Sequence, residues 1–201
     1  MGKCTYAKPD TETRALLEQV MQAYHPELEQ AQVRVGITMV YPPTNKDGEP
    51  TRHALTRHGA RCLARIHLVS LAKRVYVPVD AMIEIDAEHW ENILAPARKA
   101  ILDHELTHIV VRYQKGKGVV TAGEDGTPES VRRLPKLDQD DRPMLGLKPD
   151  DYAITGFYAV AERHGEESAE VQSMRAIWDK HGQAMFPWAR GMMGGRKKKA
   201  G

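Results

Sequence analysis

Cysteine is nearly absent: Cys4 and Cys62 are the only two, far apart and in unrelated surroundings. That excludes a disulfide framework and a Cys-rich zinc knuckle, and a reducing compartment fits best. Aromatic residues are scarce, at 6% of 201 positions. No apolar run approaches the roughly 18 residues that a spanning helix needs. The N-terminal MGKCTYAKPDTETR lacks the apolar core of a signal peptide, so neither export nor membrane insertion is expected and the cytoplasm is the expected location. What remains is average for a soluble globular chain, with 41% hydrophobic and 28% charged residues. Wholesale disorder and a rod are disfavoured, and the length suits one domain with tails.

The formal net charge of +2 conceals an arrangement. Arg196, Lys197, Lys198 and Lys199 form a basic C-terminal run, and residues 1–195 carry 25 basic against 27 acidic side chains. Within that body, residues 50–79 hold Arg52, Arg57, Arg61, Arg65, Lys73 and Arg74 and no acid, whereas residues 80–105 hold seven acids against Arg98 and Lys99. Such segregation reads either as two solvated faces of opposite sign or as a basic surface for a nucleic acid or acidic partner.

Periodicity predicts a first amphipathic helix over 11–24, with Leu16, Leu17, Val20, Met21 and Tyr24 inward and Asp10 or Thr11 as its cap. Alternation predicts strands over 33–41, 62–69 and 82–85. A short turn around His89-Trp90 leads into a helix from Ala95 to about Gln114. Residues 115–133 read as a polar, Gly-rich loop and 134–148 as a short hairpin around Asp140-Asp141-Arg142-Pro143. Pro149 suits the first turn of a helix running Asp150 to His164. A last helix, Ser168 to His181, takes Met174, Ile177 and Trp178 as core contacts. Residues 1–182 form the expected domain, with 183–201 as a flexible basic tail.

The helix over 95–114 carries His104-Glu105-Leu106-Thr107-His108, an HExxH pattern. Four helical residues turn about 400° and rise about 6 Å, so both imidazoles leave one face and can meet a single tetrahedral Zn²⁺. Glu105 stands beside them as a general base for water whose pKa the ion lowers toward about 7. A hydrolytic zinc needs a third protein ligand, and the downstream candidates are Asp138, Asp140, Asp141, Asp150, Asp151, Glu162, His164 and His181. In an intact helix Asp150 shares the inward face with Ile154 and Phe157, which favours it over Asp151. The same helix would hold His164 about 21 Å away, and would also suit Asp150 as a mere cap.

The stretches Ile66–Val69, DAMIEIDAEHW (80–90), ARKAILDHELTHI (97–109), DRPML (141–145), KPDDY (148–152) and AERHG (161–165) resemble the putative phage metallopeptidase family, phage- and prophage-encoded zincin-like proteins. The resemblance covers roughly 60–165 and implies a compact HExxH domain with a small sheet, working in the host cytoplasm. Where that family pattern has a His-Asp pair after the proline, this chain has Asp150-Asp151, so the resemblance implies a His104, His108, Asp150 site in place of three histidines.

The expected molecule is therefore an α+β, zincin-like domain: a small, mostly antiparallel sheet packed on the HExxH helix, with additional helices. Its expected activity is zinc-dependent hydrolysis of a protein or peptide substrate. Asp103 is a candidate to orient a ligand histidine, and Tyr152 or Tyr113 to steady an oxyanion. His164 reads as a helix-end or packing residue. The rival class is an SprT-like or other nucleic-acid-associated protein with a structural or degenerate metal site, binding weakly through residues 50–79 and 196–199.

Overall fold

The computed structural model describes residues 3–57, 60–122, 128–150 and 156–185. In chain order the elements are β1 (Thr5–Ala7), α1 (Thr11–Tyr24), α2 (Pro26–Gln30), β2 (Val35–Tyr41), β3 (Thr56–Arg57), β4 (Ala60–Arg61), β5 (Ala64–Leu68) and α3 (Leu71–Arg74). There follow β6 (Ala81–Asp86), α4 (Ala87–Glu91), α5 (Ala95–Thr107), β7 (Ile109–Val111), β8 (Tyr113–Ala122), β9 (Pro128–Pro135) and β10 (Leu145–Leu147). The chain then forms α6 (Tyr158–His164), a 3₁₀ turn (Gly165–Glu167) and α7 (Ala169–Met185).

Four strands form the main sheet in the order β1-β2-β6-β5. β1/β2 and β5/β6 are antiparallel and β2/β6 is parallel, which makes the sheet mostly antiparallel in an α+β fold. The β5/β6 register places Arg65 opposite Glu84, and their side chains meet at 2.6 Å. Arg61 likewise reaches Asp86 at 3.0 Å. The basic and acidic stretches that the sequence separates are thus folded against each other, which corrects the picture of two independent solvated faces.

α1 forms as its pattern dictates. Asp10 Oδ1 accepts the Thr13 N–H at 2.6 Å, and Thr13, Leu17 and Val20 turn inward. Leu17 and Val20 join Leu28, Ile83, Ile85, Trp90, Leu102 and Leu106 in one core between the sheet and the helices. Trp90 is buried with its indole N–H donating to Thr13 Oγ1 at 3.1 Å, which ties α4 to α1.

Three expectations change. α5 stops at Thr107 because Ile109-Val110-Val111 is a β-branched run that alternates buried, exposed, buried and pairs with β10. Residues on either side of the unassigned 123–127 form the antiparallel β8/β9 ribbon where a loop was expected, since a two-stranded ladder satisfies its backbone without an apolar face. Residues 151–155 lie outside the described set, but Gly156 has φ +147°, so no continuous helix runs from Asp150 to His164. In α7 Met174 is exposed and not a core contact. The side chains of Ile177 and Trp178 lie outside the described residues, as do residues 186–201 with the basic run.

A second buried cluster pins the chain leading into β10. Arg142 Nε donates to Asp80 Oδ1 at 2.8 Å and its Nη1 to the Arg74 carbonyl at 2.8 Å. Arg74 in turn meets Asp138 Oδ2 at 3.2 Å and the Pro143 carbonyl at 2.9 Å. Arg74, Asp80 and Arg142 are all buried, so each charge is matched where water cannot reach it.

Candidate functional site

α5 begins with Pro96 in its first turn, where a missing N–H costs nothing, and buries residues on most of its circumference. Asp103, Glu105 and His108 are among them, and His104 is half-buried. His108 is the C-cap residue and keeps right-handed helical geometry at φ −66° and ψ −26°, so the one-turn offset from His104 survives the early end of the helix. The two imidazole centroids lie 5.1 Å apart.

Asp150 arrives by a route that periodicity could not anticipate. The β7/β10 ribbon brings Lys148 alongside the helix end, where the Lys148 N–H donates to the His108 carbonyl at 2.9 Å. His108 Nδ1 donates to the Lys148 carbonyl at 2.7 Å. Two residues later Asp150 Oδ1 stands 3.5 Å from His108 Nε2 and 3.8 Å from His104 Nε2. One ligand atom from each of the three residues lies within 4.8 Å of the others. A tetrahedral zinc with donors at its usual bond lengths sets them about 3.3 Å apart, so closing the set would take a contraction of up to about 1.5 Å.

The donor set fits a cation. Asp150 Oδ1 is buried and lacks any hydrogen-bond partner. Both histidines are tied through Nδ1, which leaves each Nε2 facing that oxygen. For His104 the tie is Glu170 Oε1 at 2.6 Å. Glu170 is almost fully buried, and a Cβ on Gly156 would collide with its side chain, so the glycine is what lets this carboxylate reach the imidazole. Phe157 packs on both rings, at 5.2 Å from His104 and 4.8 Å from His108.

Titration follows from these contacts. Burial drives the Glu105 carboxyl up to about 7, against the opposing pull of His104, Arg57 and the Ile66 amide. Burial pushes His104 down, but the Glu170 hydrogen bond and the charges of Glu105, Glu170 and Asp150 outweigh it and raise it. His108 is lowered, first by burial. Glu170 is held below the usual range because the His104 hydrogen bond and backbone amides outweigh its burial. A dication favours the ionised form of a nearby carboxylate, so filling the site would return Glu105 toward a base.

The structure brings together His104, Glu105, His108 and Asp150. Asp138 is spent on Arg74, and Asp140 and Asp141 lie exposed in the turn beside it. Glu162 is exposed on α6. Asp151, Tyr152 and the side chain of His181 lie outside the described residues. Tyr113 packs against the core from β8. Asp103 bonds neither His104 nor His108 among the described residues. Its fully buried carboxylate instead meets His25 Nε2 at 2.7 Å, His164 Nε2 at 2.8 Å and Arg163 at 2.7 and 2.8 Å. Thus His164 is the packing residue its place in AERHG suggested, closing α6 onto α5.

Glu170 was missed from sequence. The signal was there: an acid one turn before Met174 and two before Ile177 falls on the supposed apolar stripe of its helix, where a carboxylate needs a partner.

Neither the curated proteins nor the solved structures contain a match to this chain. A family model does match it, over residues 5–179, and that model describes the putative phage metallopeptidase. A match across nearly the whole chain, centred on the helix that carries the clustered histidines, means that this chain belongs to the putative phage metallopeptidase family.

Proposed function

We propose that the chain is a zinc-dependent peptidase with a zincin-like domain, in which His104, His108 and Asp150 hold the ion and Glu105 is the general base. The observation that carries this reading is the buried, unpartnered Asp150 Oδ1 facing two imidazole Nε2 atoms at 3.5 and 3.8 Å. Such an arrangement of like-minded acceptors is costly unless a cation completes it. Zinc, when bound, supplies Lewis acidity toward a substrate carbonyl and toward water.

The chain's own residues do the rest. The Lys148 carbonyl and Glu170 fix the two imidazoles in the tautomer that presents Nε2. Glu105 takes the proton of the attacking water at a carboxylate oxygen and delivers it to the leaving amine. Phe157 packs against both imidazoles and helps to hold their orientation.

No helix among the described residues is long and apolar enough to cross a membrane. A cytoplasmic location and a single domain over 1–182 with a basic tail belong to the same proposal. In the stretch 50–79, Arg61, Arg65 and Arg74 are engaged with Asp86, Glu84 and Asp138, which removes half of the basic surface that the nucleic-acid reading relies on.

The test is metal content and hydrolysis measured together. About one zinc per chain is expected, lost on His104→Ala or His108→Ala, while Glu105→Gln keeps the metal and abolishes peptide cleavage. Cleavage that survives Glu105→Gln removes Glu105 from the mechanism.

A further inference from the structure

Two grooves meet at Glu105. One, about 390 Å³, runs past His108, and the other, about 340 Å³, runs past His104 and Asp150. Arg57 lines both, so it stands at their junction on the short strand β3. The first groove carries Arg57, Arg65 and Lys148, and its single acid is Glu105. Arg65 is neutralised by Glu84 at 2.6 Å, and Lys148 Nζ lies 4.7 Å over the Phe157 ring. Arg57 is exposed and has no carboxylate partner among the described residues.

Glu105, the single acid of that groove, is buried in the helix face and forms no ion pair with the exposed guanidinium among the described residues. A peptide lying in the groove would shield Arg57 from water. Opposite a neutral side chain the guanidinium would then be left unpaired, whereas a carboxylate would gain a charge-assisted, bidentate pair. We propose, resting on the peptidase reading of the site, that Arg57 with Lys148 forms a carboxylate-selecting subsite, so that the enzyme takes peptides with an acidic group beside the bond it cuts. The carboxylate has two possible sources, an Asp or Glu side chain or the free end of the peptide.

The full chain loaded with zinc and carrying Glu105→Gln allows binding to be measured without turnover. The probes are fluorescent alanine-based peptides with Glu or Gln stepped through each position, each made with a free or an amidated C-terminus. The expected result is at least about tenfold tighter binding of one carboxylate peptide over its amide twin. Arg57→Gln should bring that ratio close to one, and Arg57→Lys should retain part of it, with zinc content and circular dichroism unchanged in both. Selectivity for an internal Glu assigns the subsite to a side chain, and selectivity for the free over the amidated end assigns it to the chain terminus. Equal binding of Glu and Gln peptides and of both ends, no binding of any peptide, or a ratio that survives Arg57→Gln overturns the proposal. Selective binding without cleavage by the protein that retains Glu105 would instead overturn the peptidase reading and leave the subsite standing.

Discussion

His104 Nδ1 and Glu170 Oε1 lie 2.6 Å apart, although 66 residues separate them. Glu170 leaves the first turn of α7, and its carboxylate also faces the Phe157 N–H at 3.4 Å, so one buried acid joins the HExxH helix to α7.

This contact predicts a metal phenotype for a residue that is not in the donor set. Glu170→Gln should weaken zinc binding about 10- to 100-fold in competition with a chromophoric chelator, because the imidazole loses the partner that fixes its tautomer and raises its basicity. Unchanged affinity would show that Glu170 only packs.

Asp150→Asn separates metal binding from folding. Zinc affinity should fall at least about tenfold, while the metal-free protein should melt at the same temperature or higher, since a buried oxygen without a partner is replaced by a neutral amide. Calorimetry in excess EDTA and zinc titration read the two effects separately.

Arg142→Ala should destabilise the chain by up to about 3 to 5 kcal/mol in urea unfolding, because it leaves the fully buried Asp80 with Arg74, at 3.5 Å, as its remaining cation. Replacing the pair together, Asp80→Asn with Arg142→Met, should recover part of that loss. A single-mutant cost under about 1 kcal/mol would mean that Arg74 alone suffices to balance Asp80.

The Asp103 cluster predicts a pH profile. Burial alone would raise the Asp103 carboxyl, but His25, Arg163 and His164 outweigh it and hold it well below 3.8. That contribution is present above 3.8 and lost as the pH falls below it. Burial lowers His25, but Asp103 and Glu27 outweigh it and hold it above 6.5. Its contribution is full below 6.5 and lost as the pH rises through the folded value. The cluster therefore contributes most between about pH 4 and 6.5. Glu105, raised by burial to about 7, adds a decline of the same alkaline sign between 4.5 and 7. The difference between wild type and His25→Gln isolates the histidine. Urea unfolding at pH 5.5 and 8 should show that difference shrinking at the higher pH, and a constant difference would remove His25 from the profile.

The sequence by itself determined what depends on a few neighbouring residues. Asp10 or Thr11 can cap α1, the alternation over 33–41 marks a strand, and the spacing of His104 and His108 is set by helical geometry alone. All three are local, so they are legible before any tertiary contact exists. The tertiary structure decided the rest. It ended α5 at Thr107 because Ile109–Val111 finds a partner strand in β10, and a ladder is a pairing between distant segments. The same ribbon delivers Asp150, a residue the sequence favoured on the premise of a helix that Gly156 interrupts. It also made Asp103, a candidate to orient a ligand histidine, into a buried junction with His25, Arg163 and His164, and set Glu170 against His104. An acid's environment depends on which distant groups fold over it, and periodicity reports only which side of its own element it occupies.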